Sequence, residues 1–182
     1  AAIALALWLI PSFSMNLFTV VLLVILGFFF VAITCLSVGL VGTTASPVSG
    51  MTLTTLLITC IIFVLLGWTE RIYLIAAITM GCVTCCAICT AGTTSQDLKT
   101  GYLLGSMPRS QQIAEIIGVI LPSLLVGYVI YAFNDAYEIG SVNMPAPQAS
   151  LMAMVAEGVI SHNLPYGLVG IGMVMGLIMT LL

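Results

Sequence analysis

Four of the chain's six cysteines lie within eight residues, at Cys82, Cys85, Cys86 and Cys89 of GCVTCCAICTAG. Such density raises two chemistries, thiolate coordination of a metal and disulfide redox exchange. On a helix the four fall at i, i+3, i+4 and i+7, inside an arc of about 100° at 3.6 residues per turn. One stripe cannot wrap an ion tetrahedrally, because neighbours along it have Cβ atoms about 5 to 6 Å apart and the outer pair is two turns apart. Helical side chains at these spacings also rarely meet the separation and direction a disulfide requires. The stripe therefore reads as the close-packing face of a helix. No metal and no other cofactor is expected.

Few other groups can do chemistry. There is a single histidine, His162, with six acidic and three basic residues. No nucleophile elbow and no acid pair with a base partner at a recognisable spacing is present, so no enzyme is expected. Glu115 and Glu157 are the most embedded acids, in apolar sequence where an acid at a span's centre costs about 2.5 to 3.5 kcal/mol. Glu157 stands five residues before His162, and the two suit a proton relay because histidine titrates in the physiological range. The competing reading leaves both solvated at the end of a short helix. In TTSQDLKTG, Thr94 or Ser95 can cap a helix start, with Gln96 and Asp97 in its first turn facing exposed N–H groups. A helix end of that kind, with Lys99 beside it, also suits a substrate carboxylate.

The elements that must hold these groups are membrane helices. Hydrophobic residues make up 62% of the 182 and charged residues 5%, against roughly 25% charged in an average soluble domain. A spanning helix needs about 20 mainly apolar residues, and the charges divide the chain into spans of approximately 16–40, 51–67, 72–92, 111–133, a short 148–161, and 165–182. The opening residues 1–10 are apolar but too short to span, and resemble the tail of a preceding helix. The expected fold is all-α, one polytopic transmembrane helix bundle over 1–182, as a fragment of a longer chain. Net charge is spread over connections, which argues against nucleic acid. Lys99 and Arg109 place their connection in the cytoplasm and the acidic Asp135 and Glu138 loop outside. Trp8, Trp68, Tyr73, Tyr128, Tyr131 and Phe133 read as interfacial belt residues, and the methionines as core filler.

Two segments interrupt the helical pattern. Val41 to Thr52, VGTTASPVSGMT, combines Gly42, Pro47 and Gly50 with five hydroxyls, so its backbone is expected to leave helical bonds unmade. Asn143 to Gly167 holds a short apolar piece that stops at His162, Asn163 and Pro165. Backbone of this kind at membrane depth must be buried in protein or line a wet cavity, and paired interrupted segments in transporters tend to form the substrate site. Discontinuous or re-entrant segments are therefore expected, with surface loops as the alternative. Pro122 should kink the fourth span. Gly172 and Gly176 form a small-xxx-small pair that favours close helix packing.

Three blocks carry a family resemblance: SPVSGMT (46–52), TSQDLKTGYLLGSMPRSQQIAEIIG (94–118) and MPAPQASLMAMVAEGV (144–159). In that order and with similar intervals, they resemble the oligopeptide transporter family in its bacterial form, which also includes plant metal-chelate transporters. The resemblance covers the chain from about Val41 onward and implies a C-terminal portion of a longer transporter. It implies a proton-coupled symporter for small peptides, peptide-like compounds or metal-chelate complexes, in a bacterial inner membrane. Its partners would be substrate, protons, lipid and the transporter's remaining helices, with homo-oligomerisation left open. The substrate residues it points to are Ser46, Pro47, Ser49, Gly50, Met51, Gln96, Asp97, Lys99, Thr100 and Gln148, with Gly101, Pro145 and Pro147 in the same blocks. Asp97, with the Glu157 and His162 relay, would couple protons. The family commonly has an acidic residue where Thr93 stands, and a smaller or less polar one at His162. The alternative function is a channel or structural membrane subunit with the hydroxyl-rich segment 43–52 as a filter.

Overall fold

The computed structural model describes residues 16–41, 47–161 and 166–181. Their regular elements are all helical: α1 Leu17–Val41, α2 Val48–Leu65, α3 Arg71–Leu104, α4 Pro108–Tyr137, α5 Pro147–Ile160 and α6 Tyr166–Leu181. The first four are long and apolar enough to cross a membrane. With the composition, this makes the chain a helical membrane bundle. α5 has 14 residues, about 21 Å at 1.5 Å per residue, short of a hydrocarbon core of about 30 Å.

Local chemistry sets the helix ends. Pro108 and Pro147 each stand at the start of a helix, where the missing N–H has no intrahelical partner to lose. α2 and α3 end on glycines in the left-handed region, Gly67 at φ 75° and Gly105 at φ 73°. At α3's end the Ser106 N–H bonds the Gly101 carbonyl at 2.8 Å and the Gly105 N–H bonds Tyr102 at 3.3 Å. Trp68 to Phe63 and Gly67 to Val64 repeat the pattern after α2. Both are Schellman turns, which close the last carbonyls and turn the chain back.

α3 is the axis of the bundle and packs against α1, α2, α4 and α5, while α2 also packs on α5. The core contains Leu23 of α1, Leu56, Cys60 and Phe63 of α2, Ala76, Ala77 and Met80 of α3, and Ala156 and Val159 of α5. Within lipid the helices gain little from hiding apolar surface from one another, so close contact of small residues decides the packing. A Cβ on Gly81 would stand 3.8 Å from Leu56, and one on Gly92 3.4 Å from the Thr34 methyl. At the other end of this seam Phe18, Phe63, Trp68 and Tyr73 form an aromatic cluster, with Trp68 and Tyr73 stacked at 4.9 Å. α4 buries none of its residues within the described structure.

Several expectations change. α3 runs unbroken for 34 residues, so Thr94 and Ser95 do not cap a helix start and Gln96 and Asp97 do not lie in a first turn. Ser95 Oγ instead donates to the Cys35 carbonyl of α1 at 3.2 Å. The connection is only the turn at 105–107. α2 begins at Val48, which puts Ser49, Gly50, Met51 and Thr52 inside a helix rather than in a break, with Thr52 Oγ1 bonded back to the Val48 carbonyl at 2.8 Å. Pro122 sits within α4 without ending it. The packing face of α3 is not the cysteine stripe: Ala77, Gly81, Thr84, Ile88 and Gly92 are buried, while Cys82, Cys86 and Cys89 are exposed. Thr43, Thr44, Ser46, His162, Asn163 and residues 1–10 lie outside the described residues.

Candidate functional sites at opposite ends of the third helix

The α3–α4 hairpin is locked near its turn. Gln111 of α4 donates its side-chain amide to the Asp97 carbonyl of α3, and the same side chain occupies the space a Cβ on Gly101 would take. From this lock the two helices run back antiparallel, with an open cavity of about 380 Å³ between them. Cys89, Thr90, Thr93, Thr94 and Asp97 line it from α3, and Glu115 and Val119 from α4. Cys89, Thr93 and Asp97 follow at i, i+4 and i+8, one face of a helix, and Glu115 and Val119 at i and i+4.

Asp97 and Glu115 thus border one space. Glu115 Oε1 is buried and has no hydrogen-bond partner among the described residues. A buried polar atom without a partner costs about 1 to 3 kcal/mol. A proton, a cation or a donor group on a substrate would supply the missing interaction. Thr93 and Thr90 bond their hydroxyls to the Cys89 and Cys86 carbonyls at 3.1 and 2.9 Å, so their donors are taken up by the helix itself.

At the opposite end of α3 is a cavity of about 500 Å³, lined by Thr69, Arg71, Leu74, Glu157, Ile160 and Ser161. Arg71 and Asp97 are separated by 26 positions of one continuous helix, about 39 Å along its axis. Glu157 therefore does not join Asp97 in one proton-handling cluster. A third space, a groove of about 690 Å³, runs between α1 and α3 and is lined by Val31 and by Cys82, Cys86 and their small neighbours. Among the described residues no group of three or more histidine, cysteine or acidic side chains could hold a metal.

The other site residues expected from sequence fall as follows. Gln96 is half-buried, and Lys99 and Thr100 are exposed, the Thr100 hydroxyl being bonded to the Gln96 carbonyl at 3.0 Å. Pro47, Ser49 and Gly50 are exposed at the start of α2. Met51 Sδ accepts from Thr34 Oγ1 at 3.2 Å, and the Thr34 methyl abuts Gly92, one turn before Gln96. The start of α2 and the QDLKTG block therefore share one end of the bundle, linked through α1. Gln148 is exposed in the first turn of α5, and the α3–α4 cavity does not include it.

The pairing of Asp97 with Glu115 is the feature the sequence reading missed. A signal for it exists: counted outward from the turn at 105–107, the two residues are almost equally distant, which brings them face to face in an antiparallel hairpin.

Comparison with known proteins places these sites in context. The profile of the OPT oligopeptide transporter protein family matches residues 1–182. A Haemophilus influenzae protein provisionally named an oligopeptide transporter is 31% identical over 173 residues, covering 84% of this chain and 27% of its own length. A Saccharomyces cerevisiae protein with the same provisional name is 35% identical over 92 residues, 50% of this chain and 13% of its own. A rice protein provisionally named a metal-nicotianamine transporter is 32% identical over 72 residues, 38% of this chain and 10% of its own. The chain thus spans about a quarter of the length of the Haemophilus relative. No solved structure matches it.

Proposed function

Because the chain belongs to the OPT oligopeptide transporter family, we propose that the complete protein is a proton-coupled symporter whose coupling site is the cavity between α3 and α4. The observation that carries this reading is the buried carboxyl oxygen of Glu115, unpartnered among the described residues, in a space that Asp97 also lines. A carboxyl oxygen buried without a donor at membrane depth is costly, and coupling gives that oxygen a role. The family resemblance expects an acid at position 93. Thr93 lines the same cavity, so Glu115 supplies a carboxylate from across the hairpin to the space that acid would face.

The substrates proposed are small peptides, peptide-like compounds or metal chelates. The provisional names of the Haemophilus and rice relatives support these classes. Substrate contacts are assigned to Pro47, Ser49, Gly50 and Met51 at the start of α2 together with Ser46, to Gln96, Lys99 and Thr100 on α3, and to Gln148. Lys99 and Arg109 set the α3–α4 turn on the cytoplasmic face of a bacterial inner membrane. Protons would then be released from this cavity toward the cytoplasm during uptake.

The test is uptake by the complete protein in liposomes, with a tripeptide and a ferric chelate as separate substrates and an imposed pH gradient. Saturable accumulation against the substrate gradient, lost when the pH gradient is collapsed, is expected for at least one. Passive, non-saturating equilibration of both would instead favour a channel.

A further inference from the structure

The cavity at the start of α3 is built differently from the coupling site. It presents one cation and one anion, Arg71 and Glu157, on two helices. Neither forms an ion pair or a side-chain hydrogen bond among the described residues, and the neighbouring Glu70 makes no side-chain cap to α3. Opposite charges that share a cavity without closing on each other leave room for a ligand that carries both.

The helix ends reinforce the same polarity. Arg71 is exposed at the start of the 34-residue α3, the positive end of the helix dipole, where the Tyr73 N–H is already taken by the Glu70 carbonyl at 3.0 Å. Glu157 is exposed in the last turn of α5, followed by Ile160 and Ser161, at the negative end of that helix's dipole, where the Ser161 N–H bonds the Glu157 carbonyl at 2.8 Å. Ser161 contributes no free hydroxyl donor, since its Oγ bonds the Glu157 carbonyl at 2.7 Å. Leu74 and Ile160 give the cavity an apolar wall between its charged sides. Trp68 and Tyr73, stacked beside it, mark this end of the bundle as membrane interface.

We propose that this cavity binds a zwitterion, with its anionic group at Arg71 and the start of α3 and its ammonium at Glu157 and the end of α5. The shared chemistry has two sources, a free peptide-like zwitterion or the phosphoethanolamine headgroup of a membrane lipid. The site is separate from the α3–α4 cavity and does not depend on the coupling role given to it.

The experiment uses the complete protein in detergent. In one arm, calorimetry compares trialanine with N-acetyl-trialanine and trialanine amide. In the other, native mass spectrometry compares retention of phosphatidylethanolamine and phosphatidylglycerol. A free zwitterion predicts that blocking either terminus weakens wild-type binding about tenfold or more. Glu157→Gln then erases the preference for the free amine alone, and Arg71→Gln the preference for the free carboxylate alone. A lipid headgroup predicts selective retention of phosphatidylethanolamine, lost in both variants and kept in Arg71→Lys. Either pattern persisting in Glu115→Gln assigns it to this cavity and not to the coupling site. A wild-type protein that distinguishes neither the blocked peptides nor the two lipids overturns the proposal whatever the variants do. So does a preference that folded Arg71→Gln and Glu157→Gln both retain.

Discussion

Gln111 of α4 is bonded to the main-chain carbonyl of Asp97, not to its side chain. The lock that holds the hairpin shut therefore makes no use of the Asp97 carboxylate, and Asp97 also borders the cavity. It works only because Gly101, facing Gln111, has no side chain of its own.

Gly101→Ala is expected to displace Gln111 and lower stability by about 1 kcal/mol through the lost hydrogen bond. In a Gln111→Ala background the same change should be neutral or stabilising, since alanine favours helix over glycine by up to about 1 kcal/mol. Unfolding free energies in detergent for the four proteins of this double-mutant cycle check the coupling. Additive effects would mean that the two residues do not meet.

Glu115→Gln and Asp97→Asn are each expected to cut proton-driven uptake about tenfold or more, equivalent to at least about 1.4 kcal/mol, while sparing substrate exchange across a membrane without a pH gradient. Counterflow and gradient-driven assays on the same liposomes separate the two. Loss of both activities would indicate a substrate or folding role in place of coupling.

Thr84 Oγ1 is buried without a partner among the described residues, unlike Thr59, which bonds the Thr55 carbonyl at 2.8 Å. Thr84→Val should leave stability unchanged or raise it by about 1 kcal/mol, because it removes an unmet polar group and keeps the shape. Thr59→Val gives up a satisfied bond and should gain nothing. A clear loss on Thr84→Val would reveal a bonding partner for that hydroxyl in the complete protein.

The two seam glycines should respond in order of their clearance. Gly81→Ala meets its nearest neighbour at 3.8 Å, ordinary contact, and is expected to stabilise by up to about 1 kcal/mol. Gly92→Ala meets the Thr34 methyl at 3.4 Å and should fall near zero. Leucine at either position should separate the helices and cost about 1 to 3 kcal/mol or more. Thermal midpoints of the four variants test the ranking.

The membrane-helical character was legible because charge is so scarce that its few positions outline the apolar runs. The hairpin was not, and the reason is chemical. Thr94 and Ser95 look like capping residues in sequence, since hydroxyls compete for backbone partners. In the fold Ser95 bonds α1, and its neighbours Thr93 and Thr100 bond carbonyls one turn back, so these three hydroxyls serve a helix that runs on through them. The cysteine stripe misled by a single position, because the smallest side chain of the region, Gly81, and its helical successors carry the contact instead. Glu157 shares a cavity with Arg71 from a distant element, a relation that periodicity cannot express, while its expected partner His162 lies outside the described residues.

The unbroken length of α3 has a mechanical consequence. Its 34 residues make a rod of about 51 Å with the Arg71 cavity at one end and the Asp97 cavity near the other. A tilt of about 5° around its midpoint would swing each end by about 2 Å in opposite directions. To the extent that α3 moves as a rigid body, a shift at one cavity displaces the wall of the other, because both are built on the same helix.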